Sequence, residues 1–242
     1  MTVDRGRATR RPYLRSLPTR TADRAGPAES ELSRRPERVQ RGVGPVPRAG
    51  APRSAAGRSA AFAELGEEIR ACRRCPLGSS RTRAVVYRGG AAPRVVFVGE
   101  APGAAEDATG IPFVGRSGRL LDAAIGSLDL APDAIGIVNV LKCRPPANRF
   151  DRAAAATCRP FLDRQLDLLR PAAIVSLGAW ALRSLDPQAP PVLRAAGAPR
   201  PGHTPPLFPM IHPAASFRSR RLRDRWANDV GALGRWLRST AV

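Results

Sequence analysis

Cys72, Cys75, Cys143 and Cys158 are the complete cysteine complement of this 242-residue chain, and their spacing is its plainest chemical signal. Cys72 and Cys75 enclose only Arg73 and Arg74, so one turn can present two thiols, while Cys143 and Cys158 are distant singles. Four thiolates can hold a tetrahedral zinc ion or a four-iron cluster. Two disulfides are the competing reading of an even number. Nothing else in the chain points to an oxidising compartment, and a chain of this size needs no stapling, so metal or cluster is favoured. Spacing alone does not decide between zinc and iron–sulfur.

The remaining unusual residues fall in three loops. The first runs through Gly99-Glu100-Ala101-Pro102-Gly103, Glu106-Asp107 and 110–118, where Phe113 lies between Pro112 and Gly115. The second holds Asn139, Lys142-Cys143-Arg144-Pro145-Pro146 and Asn148-Arg149, and the third His212-Pro213-Ala214-Ala215-Ser216-Phe217-Arg218. Glycines let backbone approach a ligand closely, although a glycine-rich loop is often only a turn. Phe113, in a polar loop, is poorly placed for a core and suits a flat platform for a base; a structural role is the ordinary alternative. Asn139 offers one acceptor and two donors, a pattern that fits a nucleobase edge or its own turn backbone equally well. His212, one of only two histidines, sits after an apolar run and before a small-residue loop, which favours chemistry over the structural role of most lone histidines.

Elements must exist to aim these loops. Helical spacing of Phe62, Leu65, Ile69 and Cys72 predicts a short helix leading into the cysteine pair. Beyond it, short β-branched runs at 94–98, 136–140, 172–177 and 207–211 read as four buried strands. Between and after them, 117–128, 161–169 (with Pro160 near its start), 178–185 and the amphipathic 222–237 read as helices. That alternation predicts an α/β sandwich with a parallel sheet, whose site lies at the carboxyl ends of the strands. All three loops follow strands.

Composition frames the partners. Forty basic against 20 acidic residues give a formal charge of +20, so a polyanion is the first partner to consider. Lys142 is the only lysine, and so strong an arginine skew can reflect coding bias rather than arginine chemistry. Residues 1–60 carry 14 arginines and 5 acidic residues, few large apolar side chains and much proline and glycine, which predicts a disordered basic tail with one domain at 61–242. The twin arginines at Arg10-Arg11 resemble an export signal, but the polar stretch 16–26 replaces the apolar core such a signal needs, which favours a basic arm. No apolar run approaches the ~18 residues of a membrane span, so no membrane partner is expected.

Together these motifs resemble the iron–sulfur uracil-DNA glycosylases of family 4, over about residues 62–238. The loop from Gly99 to Gly115 is similar to that family's first active-site motif. Asn139 through Pro146 resembles its strand-end motif, the segment from His212 to Arg218 its histidine loop, and the four cysteines match its cluster positions. The resemblance implies a three-layer sandwich around a central, mainly parallel four-stranded sheet, a 4Fe–4S cluster rather than zinc, and hydrolysis of the N-glycosidic bond of uracil in single- or double-stranded DNA to leave an abasic site. It also implies a monomeric, cytoplasmic bacterial enzyme working at the nucleoid. The chain departs from the pattern in Phe150-Asp151-Arg152-Ala153, one residue shorter than usual, and in Pro209-Met210-Ile211 before His212. A related branch that traps DNA covalently differs after the motif glutamate and carries a basic histidine-containing insertion; Ala101 and 196–205, with an ordinary His203, do not match it.

On that resemblance, Phe113 stacks on an extruded uracil and Asn139 matches its N3–H and O4, opposing cytosine's reversed pattern. Gly99 and Ala101 line the pocket, and Glu106 walls off C5 against thymine. His212 stabilises charge on uracil O2. Glu100 fills the slot beside the attacking water, as loop organiser or weak electrostatic support. Ser216, Phe217 and Arg218 enter the DNA, Phe217 as an apolar wedge. The alternatives are a protein that binds or covalently traps uracil-DNA without turnover, and an accessory domain whose cysteines anchor a partner.

Overall fold

A computed structural model describes residues 54–240. Residues 1–53, with the twin arginines and most of the expected tail, lie outside the described residues. The first helix, α1 (Ala55–Ala71), starts six residues before the expected domain boundary, because Ser54 caps it by accepting the Gly57 amide at 3.1 Å. A one-turn helix α2 (Leu77–Ser80) follows the cysteine pair. Then come β1 (Arg88–Gly89), β2 (Val95–Gly99), α3 (Ala104–Thr109), α4 (Arg116–Gly126), β3 (Ile135–Asn139) and α5 (Arg152–Leu169). β4 (Ala173–Leu177), α6 (Ala179–Leu185), α7 (Val192–Ala195), β5 (Leu207–Met210) and α8 (Arg220–Ser239) complete the chain.

The sheet order is β1-β3-β2-β4-β5, parallel throughout except for antiparallel β1. The four expected strands are present within one or two residues. The fifth, β1, is two residues long and carries no periodic signal, so only its pairing with Ile137 and Gly136 reveals it. Alternation in β2 splits the core: Val95 and Phe97 face α4 and α8, packing with Leu121, Trp226, Leu233 and Leu237, whereas Val96 and Val98 face α5 and α6, packing with Leu162 and Leu182. A third cluster joins Leu65 and Ile69 of α1 to Phe161 of α5, beside Cys143 and Cys158.

The largest departure from expectation is α5, which begins nine residues earlier than its apolar pattern indicated. The segment Arg152–Thr157 is alanine-rich and has no apolar stripe, but Asp151 caps it by accepting the Ala154 amide at 2.9 Å. Pro160 therefore lies inside the helix rather than near its start. The residues that depart from the family pattern are thus a helix N-terminus, and Cys158 is carried on a helix. Pro209 is tolerated because β5 is an edge strand.

Phe97, 1% exposed on the central strand, belongs to the core cluster packed under α4 and α8. Phe97→Ala lowers unfolding free energy by about 3–5 kcal/mol, as read from a urea melt; a loss under 1 kcal/mol contradicts this packing.

Candidate functional site

The parallel register sets Gly99 opposite Asn139 at the carboxyl ends of β2 and β3. A Cβ on Gly99 would lie 2.3 Å from Asn139 Oδ1 and 2.4 Å from Phe113 Cε2, so the missing side chain is what lets amide and ring meet there. Val140 and Leu141 then donate to the carbonyls of Gly99 and Glu100 at 2.9 and 3.0 Å, tying the two loops together past the strand ends.

Asn139 is 1% exposed, yet neither Oδ1 nor Nδ2 has a hydrogen-bond partner. A buried polar group left unpaired costs about 1–3 kcal/mol, and two on one amide mark a place where a ligand completes the pairing. The amide lines a cavity of about 740 Å³ shared with Glu100, Ala101, Glu106, Phe113, His212 and Arg218. Phe113 is held in the left-handed region at φ 55°, its carbonyl accepting from Arg88 Nη1 at 3.0 Å. Side chains other than glycine adopt that conformation at a cost, so the ring is aimed by its surroundings. Contrary to the expectation from its polar neighbours, Phe113 is only 5% exposed and its ring packs with the core behind the cavity. The physical reason is that the loop folds back over β2, where the absent Gly99 side chain leaves room.

His212 faces Phe113 across 5.9 Å between ring centroids. Its Nδ1 accepts the Ala214 amide at 3.1 Å, which leaves Nε2 to carry the proton of the neutral ring. Burial pushes its pKa down to about 4, the positive charge of Arg218 pushes the same way, and Glu106 opposes both. Burial raises the pKa of Glu100, and Arg218 pulls it back. Glu106 spends its carboxylate on backbone: Oε1 accepts Val114 and Gly115 at 3.0 and 2.8 Å, and Oε2 accepts Gly103 at 3.0 Å. It is a clasp holding both ends of the loop that carries Phe113. Asp107 does the same outward, accepting the Thr82 amide.

The third loop divides. Phe217 is 38% exposed beneath the Arg116 guanidinium, 3.9 Å from its ring centroid. Ser216 does not reach outward as expected: it is 2% exposed and its hydroxyl donates to the Pro213 carbonyl at 2.7 Å, so it shapes the turn. Trp180 and Leu193 also line the cavity and were not singled out from sequence. Trp180 sits within an ordinary helical pattern and stacks on Phe150 at 4.5 Å, so no local signal distinguishes it.

All four cysteines line one small depression together with Arg74, Arg81 and Lys142. None is in a disulfide. Arg81 Nη1 donates to Cys143 Sγ at 2.8 Å. Burial pushes the Cys143 and Cys158 thiols up, while Arg81 and Lys142 respectively pull them back towards thiolate. Among the described residues no three such side chains close on a single metal ion. Four thiols lining one depression with three cations suit an anionic metal–thiolate centre.

A profile of the "Uracil DNA glycosylase superfamily" matches residues 86–230. A type-4 uracil-DNA glycosylase of Archaeoglobus fulgidus is 36% identical over 180 residues, covering 71% of this chain and 90% of the relative. Proteins of the same name from Thermotoga maritima and Sulfurisphaera tokodaii are 44% and 46% identical over 119 and 117 residues, or 49% and 48% of this chain and 62% and 53% of those relatives.

The depressed pKa of His212 has a testable sign. The unfolded imidazole binds a proton near pH 6.5, the folded one only near pH 4, so stability is complete above about pH 6.5, falls as pH drops towards 4, and levels off below. His212→Asn removes His212's share of this acid sensitivity, on the order of 3 kcal/mol between those limits, measured by unfolding at pH 7 and pH 4.5. An unchanged pH dependence in the variant contradicts the assignment.

Proposed function

The chain belongs to the uracil DNA glycosylase superfamily, and on that premise we propose that it swings uracil out of DNA and hydrolyses its N-glycosidic bond, leaving an abasic site. The observation that carries this reading is the unpartnered, buried Asn139 amide beside the Phe113 ring and a neutral His212. A planar base with one donor and adjacent acceptors fills that need: Phe113 stacks, and Asn139 accepts N3–H and donates to O4. Ala101 lines the slot, Gly99 leaves the room that the Asn139 amide and the Phe113 ring share, and the clasped Glu106 keeps the Phe113 loop close to C5.

As the bond to the sugar breaks, the pyrimidine departs with negative charge on O2. The Nε2–H of His212 donates to that oxygen, a hydrogen bond worth more to the departing anion than to the bound base. A neutral donor suits the task because it need not give up its proton. Glu100 at the cavity wall supports the sugar's developing positive charge and organises the loop. At the rim, Phe217 wedges into the stack, Arg218 meets phosphate, and buried Ser216 fixes the turn that presents both.

Cys72, Cys75, Cys143 and Cys158 would hold a 4Fe–4S cluster. When bound, it supplies structural cross-linking between α1, the loop after β3 and α5 rather than a step of hydrolysis. The substrate is uracil-containing DNA, and the enzyme's place is with the chromosome. No helix among the described residues is long and apolar enough to cross a membrane.

The deciding experiment incubates purified protein with a uracil-containing oligonucleotide and then cleaves abasic sites with alkali. Product forms, and His212→Ala slows it by ~10²–10³. Retarded migration without product would instead favour a binder. Stoichiometric iron with absorbance near ~400 nm supports the cluster; zinc in its place refutes it.

A further inference from the structure

Lys142 is the only lysine among 40 basic side chains, and among the described residues it is the one basic side chain that is buried, at 1% exposed. Its ammonium donates to the Asn139 carbonyl at 2.5 Å and to Gln165 Oε1 at 2.5 Å. Gln165, fully buried on α5, passes the connection on by donating to the Val86 carbonyl at 2.8 Å. The Lys142 carbonyl accepts the Val85 amide at 2.8 Å. Its hydrogen-bond acceptors are therefore two neutral oxygens. Lys142 also lines the cysteine depression, together with Cys143 and Cys158.

The residue type fits the place. A compact ammonium with three donors can serve two carbonyl oxygens and an adjacent anion, whereas a planar five-donor guanidinium would leave protons unpaired in this interior. One residue thus touches both sites. Asn139 lies three positions before it, with an amide that nothing in the protein holds by hydrogen bonds, and Cys143 lies one position after it.

We propose that Lys142 is a positioning residue that pins the Asn139 backbone against the four-cysteine wall, so that the thiolate centre and the base-reading amide share one fixed geometry. This rests on reading Asn139 as the uracil contact. Because the Asn139 side chain has no hydrogen-bonded brace of its own, its aim depends on its backbone, and the strongest hydrogen bond on that backbone carbonyl is the charge-assisted one from Lys142.

The test compares cluster-loaded wild-type protein with Lys142→Met, which keeps the chain length and loses the donors. Three quantities are read: iron content, affinity for free uracil by calorimetry or product inhibition, and affinity for uracil-free duplex. The expected result is unchanged iron and unchanged affinity for uracil-free duplex, with uracil affinity reduced on the order of tenfold, the equivalent of one charge-assisted hydrogen bond. Gln165→Met, which removes the brace behind the ammonium, gives a smaller loss of about two- to fivefold in the same direction. Uracil affinity within twofold of wild type in Lys142→Met overturns the proposal. So does a parallel loss of uracil and duplex affinity, which a general loosening of the fold would produce. Should Lys142→Met fail to load iron, Gln165→Met decides alone, and an unchanged uracil affinity there overturns the proposal. A wild-type protein that does not bind uracil at all sinks the functional reading, and this inference with it, by a result distinct from the others.

Discussion

A side chain that is absent organises this site. In a parallel sheet the residues at equivalent positions on neighbouring strands carry their side chains to the same side, so whatever stands opposite Asn139 would compete with its amide for the space beyond the strand ends. Glycine at position 99 leaves that space empty, and both Asn139 Oδ1 and the Phe113 ring move into it. Alanine would already collide with both at under 2.5 Å. The rest of the architecture serves to keep the two occupants in place: Glu106 clasps the ends of the Phe113 loop, Arg88 holds its carbonyl, and Lys142 holds the carbonyl of Asn139.

Each buried charge among the described residues holds backbone, and Asp186 and Asp229 add an ion pair with Arg200 and Arg225. Glu106 accepts three amides, Asp107 the Thr82 amide, Asp229 the Ile211 amide next to the histidine loop, and Lys142 donates to a main-chain carbonyl. Each desolvated charge thereby fixes a loop that would otherwise be free to move. The exposed pairs, such as Arg70 with Glu67, contribute little by comparison. A site built on loops acquires the rigidity of a strand end by this means.

Strand placement was legible in the sequence because β-branched runs buried on both faces announce themselves, and the three functional loops were legible because they follow those runs. What escaped has physical causes. The front half of α5 is held by a cap and by alanine propensity, neither of which leaves an apolar period. β1 is recruited by pairing alone. Polar neighbours give Phe113 no sign of a core position, yet its ring is buried at the cavity wall on a backbone in the left-handed region. Ser216 is placed by its motif in a loop that enters DNA, yet its hydroxyl donates to the Pro213 carbonyl within the turn. In each case the deciding interaction joins residues whose proximity sequence periodicity does not encode.

Arg218 exposes the balance the histidine must keep. Its charge depresses the pKa of His212 and draws down that of Glu100, so it opposes a positive imidazole and favours a negative carboxylate at the same wall. A phosphate arriving at the rim would neutralise much of that field and let both values rise. If Arg218 were the main cause of the depression, the substrate itself would push the histidine towards its charged form at the moment of use. Burial, however, is the larger cause, and a bound base that excludes water deepens it. Burial and the Nδ1 contact with the Ala214 amide thus act together to favour a neutral imidazole with its proton on Nε2.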